Sequence, residues 1–231
     1  MEQKEIYFNF PICLLKDIFI DKNKVFNNIC NYAIYKHSLS LEHGTEIDKI
    51  KSAAKFYNVT LGSNSNTLRS SKLLYNSIPN NAVSTGIRLS IFWDFYKNDK
   101  TEFEIVTLLA FLGIKSILKT KPYCKTNKVF LFNRMSGNAK QSECEISEPL
   151  QKYLIRYHFD KITSELKVNW HLKYYGYHTK GFYVSFDLSI EQLIANAEIN
   201  RPSKKQKALK DYETSVRKKV IENINNGYSN I

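Results

Sequence analysis

From Ile105 to Ser142 the chain carries no aspartate or glutamate, yet seven basic residues fall there: Lys115, Lys119, Lys121, Lys125, Lys128, Arg134 and Lys140. The first part of the stretch, Ile105 to Ile114, is apolar. On a helical projection Val106, Leu109, Ala110, Gly113 and Ile117 share one side, and Leu108, Phe111, Leu112 and Ile114 make the other side apolar as well. A helix that is apolar all round belongs at the centre of a domain. Upstream, the run Asn98 to Thr101 breaks the preceding pattern. Thr101 offers an N-cap and Glu104 stands at the third helical position, which is a capping box. The helix is expected to run to about Leu118. The second part, Lys119 to Lys128, is polar, basic and turn-like, and suits a module that docks on phosphates.

The charge of the whole chain agrees. The 231 residues carry a formal +12, with a sequence pI of about 9.4. Residues 1–99 hold 12 Lys and Arg against 9 Asp and Glu, and residues 100–231 hold 22 against 13. A basic half suggests an anionic partner, most often nucleic acid. The competing explanation is a lysine-rich solvated surface, since abundant Asn, Lys and Ile also reflect an AT-rich genome. Cys13, Cys30, Cys124 and Cys144 form no CxxC pair and no zinc spacing, so they read as reduced thiols of an intracellular protein. The charged start, Met1 to Ile6, is unlike a signal peptide, and the apolar runs are too short to span a bilayer. The expectation is a cytoplasmic protein that holds no cofactor and uses no membrane.

In the first half, Glu5 to Ile20 reads as a strand followed by a short helix. Helices are expected over Lys24 to Leu39, Thr45 to Tyr57 (with Thr45 and Asp48 as a capping box), Leu68 to Ile78 and Ala82 to Lys97. Gly62 to Thr67 reads as a connector. No catalytic constellation occurs here. The helices suit a scaffold, a homodimer surface or a partner contact.

In the second half, Thr126 or Asn127 can cap a helix over Lys128 to Met135, and Gly137 can stop it. Ser147 and Pro149 can start a third helix, in which Ile155, Phe159, Ile162 and Leu166 make one buried stripe. Its far face carries Lys152, Tyr153, Arg156, Tyr157, Lys161 and Ser164. Two aromatic, β-prone runs, Val168 to Tyr175 and Phe182 to Phe186, flank the glycine-bounded loop Gly176 to Gly181, which is a hairpin signal. Helices followed by a hairpin in this order resemble the winged helix-turn-helix DNA-binding proteins over about residues 101–187. That family usually joins its second and third helices by a tight turn, and Gly137 to Ser147 is longer. The resemblance implies the third helix in the major groove and the hairpin wing on the backbone or minor groove. Asp187 to Asn200 reads as a short amphipathic helix. Beyond Arg201-Pro202 the chain is lysine-rich, a solvated helix or tail.

The expected fold is therefore mainly α with a small β-hairpin. It has a helical N-terminal region (1–98), a winged-helix-like domain (99–200) and a basic C-terminal helix or tail (201–231). The expected partner is double-stranded DNA, bound without catalysis, as by a replication or transcription factor of a mobile element. Lysine and arginine neutralise phosphates and release counterions. The expected contacts are Lys121, Lys125, Thr126, Asn127, Lys128, Arg134, Lys152, Arg156, Lys161, Lys173, His178 and Lys180. Arg156 is the candidate for bidentate base reading. Two alternatives remain open: an adaptor or inhibitor that binds protein without nucleic acid, and a metal-dependent nuclease built on His158, Asp160 and His171. The sequence holds no HExxH, phosphate-cradling glycine loop or nucleophile elbow.

Overall fold

The computed structural model describes residues 5–60, 65–139, 146–176, 181–199 and 204–228. In β1 (Tyr7–Pro11) Phe8 and Phe10 are buried while Asn9 between them is exposed, the alternation of a half-buried strand. A 3-10 turn follows at Ile12–Leu15. Then come α1 (Lys22–Ser38), α2 (Glu46–Phe56) and α3 (Ser65–Ser77). Asp21 caps α1 by accepting from the Lys24 amide at 2.9 Å. The capping box of α2 forms with Thr45 and Asp48 as expected.

Residues 82–97 are not one helix. Ser84–Arg88 is a strand, β2, and only Leu89–Lys97 is helical, as α4. β2 pairs antiparallel with β1, placing Phe8 opposite Ile87 and Asn9 opposite Gly86. A Cβ on Gly86 would lie 2.6 Å from Asn9 Oδ1, so glycine permits this close cross-strand approach. Burial of Thr85 and Ile87 and the ladder to β1 outweigh the helical spacing of Ile87 and Ile91.

α5 (Glu102–Leu118) is the central helix. Both partners of its Thr101–Glu104 capping box are in place. Val106, Leu108, Leu109, Ala110, Leu112 and Ile114 are all at most 1% exposed, so every side of the helix is covered. Burial of each large side chain contributes about 1.5–3 kcal/mol. One side meets β2, where Thr85 donates its hydroxyl to the Leu112 carbonyl at 2.9 Å. Another meets α6 (Lys128–Met135) at Gly113, where a Cβ would stand 3.0 Å from Leu131 Cδ1. The buried core runs without a break from Phe8 to Val184 across α5.

β3 (Cys124–Thr126) lies within the stretch read from sequence as a turn. After α6 come α7 (Glu148–Gln151), a 3-10 turn at Lys152–Leu154, and α8 (Arg156–Asn169). The continuous third helix is therefore broken at Ile155, whose backbone is extended at φ −67°, ψ 150°. Lys128 Nζ donates to the Leu154 carbonyl at 2.5 Å, giving that oxygen a partner from another helix. Phe159, Ile162 and Leu166 keep the buried stripe, but Ile155 is 57% exposed.

β4 (Lys173–Tyr175) and β5 (Phe182–Ser185) follow, and β5 is the middle strand of an antiparallel sheet in the order β3-β5-β4. Phe182 and Val184 face the main core. Tyr183 faces the other way, onto Leu193 and Ala197 of α9 (Ile190–Ile199). The last element is α10 (Lys204–Tyr228). The chain is thus mainly helical, with antiparallel sheets of two and three strands. Among the described residues no helix is long and apolar enough to cross a membrane.

Candidate nucleic-acid interface

α8 is amphipathic for a local reason. Phe159, Ile162, Thr163 and Leu166 recur at helical spacing and pack inward. The opposite face leaves Arg156, Tyr157, Asp160, Lys161, Ser164 and Lys167 exposed. The Arg156 side chain is 96% exposed, with Nε 3.7 Å from the Asp160 carboxylate. Such an exposed pair is weak and leaves the guanidinium available. Lys161 Nζ sits 4.6 Å from the centre of the Tyr157 ring, and Lys167 Nζ sits 4.7 Å from that of Tyr174.

The cationic turn reaches α8 through one contact. Lys119, which ends α5, takes φ 54°, a conformation unusual for a side chain with a Cβ, and turns the chain towards β3. Lys121 and Lys125 are exposed, and Lys125 Nζ lies 5.6 Å from the Tyr183 ring centre, across the strand pair. Asn127 caps α6 by accepting from the Phe130 amide at 2.9 Å. The Lys128–Leu154 hydrogen bond then sets the end of this turn against the start of α8.

Several expected contact residues serve the fold instead. Lys128 is half-buried, with its ammonium committed to the Leu154 carbonyl. Lys152 pairs with Glu102 at 2.8 Å, and the same carboxylate accepts from the Tyr153 hydroxyl at 2.9 Å. The Lys152 and Tyr153 hydrogen bonds hold the Glu102 carboxyl below its ordinary pKa. Burial, then Glu102, pushes the Tyr153 phenol up to about 12. Tyr153, expected on the outer face, is in fact buried. Thr126 is buried in β3, and its hydroxyl has no hydrogen-bond partner among the described residues.

Arg134 departs furthest from the expected surface. It is 7% exposed, and its Nε and Nη1 are buried without a hydrogen-bond partner among the described residues. Its guanidinium lies 4.9 Å from the Phe130 ring centre, and burial lowers its pKa. Lys173 is half-buried in β4. His178 and Lys180, the expected wing tip, lie outside the described residues, as do Lys140 and Cys144.

Lys167 and Tyr157 join the exposed set without having been singled out as contacts. Both were legible as members of the helix face opposite Phe159, Ile162 and Leu166. Of the candidate nuclease ligands, His171 is exposed in a turn at φ 56°. Among the described residues no group of three His, Cys, Asp or Glu side chains is placed to hold a metal ion. Compared with family models, curated proteins and solved structures, the chain matches none.

Proposed function

We propose that residues 101–187 form a winged-helix-like unit that binds double-stranded DNA without catalysis. The supporting observation is the exposed cation set that remains once the structural cations are removed. Lys128 and Arg134 are absorbed by the fold, and the exposed Lys152 is paired with Glu102. Lys119, Lys121, Lys125, Lys161 and Lys167 are exposed, and none makes an ion pair among the described residues. An exposed cation with no internal partner is free to displace counterions from phosphates. With the one-turn α7 set aside, the order helix, strand, helix, helix, strand, strand, with the last strand central, also suits a helix-turn-helix bearing a wing. In this reading α8 lies in the major groove, Arg156 reads base edges, and Lys121 and Lys125 hold the backbone. A role in replication or transcription of a mobile element fits such a unit.

The test is a pair of variants in a mobility-shift titration. Lys121→Glu with Lys125→Glu is expected to weaken binding to all duplexes alike, whereas Arg156→Ala relaxes the preference among them. Identical effects of both on every duplex would overturn this division of roles.

Two protein-contact readings have observations of their own. Tyr212, Val216 and Val220 are exposed at helical spacing along α10, a surface that suits an adaptor's partner. Leu39, Ile47 and Leu73 are exposed on or beside the N-terminal helices, where a homodimer would cover them. A pull-down yielding a stoichiometric protein partner in the absence of nucleic acid would favour the adaptor over the DNA-binding unit.

A further inference from the structure

The seam between α6 and α8 does not close at the surface. Inside, Phe132 of α6 packs on Phe159 of α8, with ring centres 6.2 Å apart. One turn earlier on α6 stand Lys128 and Val129, and one turn earlier on the α8 side stands Ile155. Lys128 Nζ crosses the seam to the Leu154 carbonyl and lies 6.0 Å from the Phe159 ring centre, so the two helix starts are in contact. Val129 is 46% exposed and Ile155 57%. Ile155 also occupies the N-cap of α8, where Ser, Thr, Asp or Asn would ordinarily stand. The Ile155 carbonyl accepts from the Phe159 amide at 3.1 Å, but its side chain caps nothing and is left more than half exposed.

From this apolar seam mouth, set beside exposed cations, we propose that Val129 and Ile155 contact the 5-methyl groups of thymine in the major groove. The inference rests on the DNA-binding reading above and gives it a base preference. The charge around the patch decides the occupant. Arg156, its side chain 96% exposed, follows Ile155 directly, Lys128 spans the seam, and Lys121 and Lys125 stand exposed on the turn that leads into α6, so a polyanion complements the rim. The major groove presents one apolar group among its polar base edges, the thymine methyl, and aliphatic side chains recognise it. Phosphate contacts alone would hold the backbone without distinguishing sequences.

Replacing thymine by deoxyuracil removes only that methyl and leaves base pairing and phosphates in place. The test measures full-length protein binding to an alternating dA·dT duplex and to its dA·dU counterpart at one salt concentration. The dA·dU duplex is expected to bind about fourfold more weakly for each methyl buried, the change that one methyl transferred out of water produces. Ile155→Ala with Val129→Ala is expected to erase the difference while the salt dependence stays unchanged. Both side chains are about half-exposed, and an unchanged thermal melt checks that the variant folds. A 5-methylcytosine duplex should bind more tightly than its cytosine parent for the same reason. Equal affinity of the unaltered protein for dA·dT and dA·dU overturns the inference and leaves DNA binding standing. A difference that persists in the folded double variant also overturns it. Failure to bind any duplex at low salt removes the DNA-binding reading, and this inference with it.

Discussion

Arg134 and Lys125 carry the same charge in the same acid-free stretch, yet burial gives them different work. Lys125 is exposed beside an aromatic ring, whereas the Arg134 guanidinium is enclosed with two nitrogens lacking a partner among the described residues. A buried charge without a counterion is costly, and apolar side chains of similar volume often replace buried ionic groups with a gain. Arg134→Met is therefore expected to raise stability by about 1 kcal/mol or more, read from denaturant unfolding. DNA affinity should stay unchanged. A stable Arg134→Met protein that had lost DNA binding would show the side chain reaching outwards. Sequence made these residues look equivalent because a count of carboxylates sees charge and not depth. The signal that separates them is spacing: Arg134 follows Leu131 by three residues, on the helix side that meets Gly113.

The elements were most legible where local chemistry closed on itself. The Thr101–Glu104 and Thr45–Asp48 capping boxes, the all-round apolar α5 and the amphipathic α9 each had a signal within a few residues. β2 and the break before α8 did not. β2 is a strand because Phe8 and Phe10 lie opposite it, and at the break before α8 the Leu154 carbonyl is met by Lys128; both partners are distant in sequence. The base of the hairpin shows a similar dependence. Gly181 has φ +86°, and a Cβ there would lie 2.2 Å from the Thr126 carbonyl oxygen. Gly181→Ala must therefore cost more than the roughly 1–2 kcal/mol of left-handed backbone alone, because backbone rather than a side-chain tip must move. A lowered melting temperature checks this, and an unchanged one would contradict the close approach. Acid acts on joints between elements. Asp94 is held below its ordinary pKa by hydrogen bonds from Lys100 and then Asn98, Glu104 by the Thr101 amide and hydroxyl, and Glu102 by Lys152 and then Tyr153. Folded carboxylates with depressed pKa contribute stability above the ordinary carboxylate range, and it is lost as pH falls through their folded values. A melting series in acid should show that loss, reduced in Glu102→Gln. All three groups are largely solvated, so the effect is modest.

Across the whole molecule, one core joins the N-terminal helices and β1–β2 to the C-terminal helices and sheet through α5. The mainly helical fold with small antiparallel sheets was readable from periodicity, because helix and hairpin patterns dominate most of the chain. The continuity of the core was not, because no local pattern reports which faces α5 shares with β2 and α6. The net charge of +12 belongs to this same scale, since it sums residues with fates as different as those of Lys128 and Lys161. What matters for binding is how many cations remain on one surface after folding. Lys119, Lys121, Lys125, Lys161 and Lys167 are the five cations assigned to the phosphates, with Arg156 left to the bases. Affinity for a duplex measured as a function of salt counts them directly. If all five neutralise phosphates, log K falls against log salt with a slope of about −4 to −5, at about −0.9 per phosphate contacted. A slope near zero, or no binding at the lowest salt, would contradict the claim that this surface is a DNA interface.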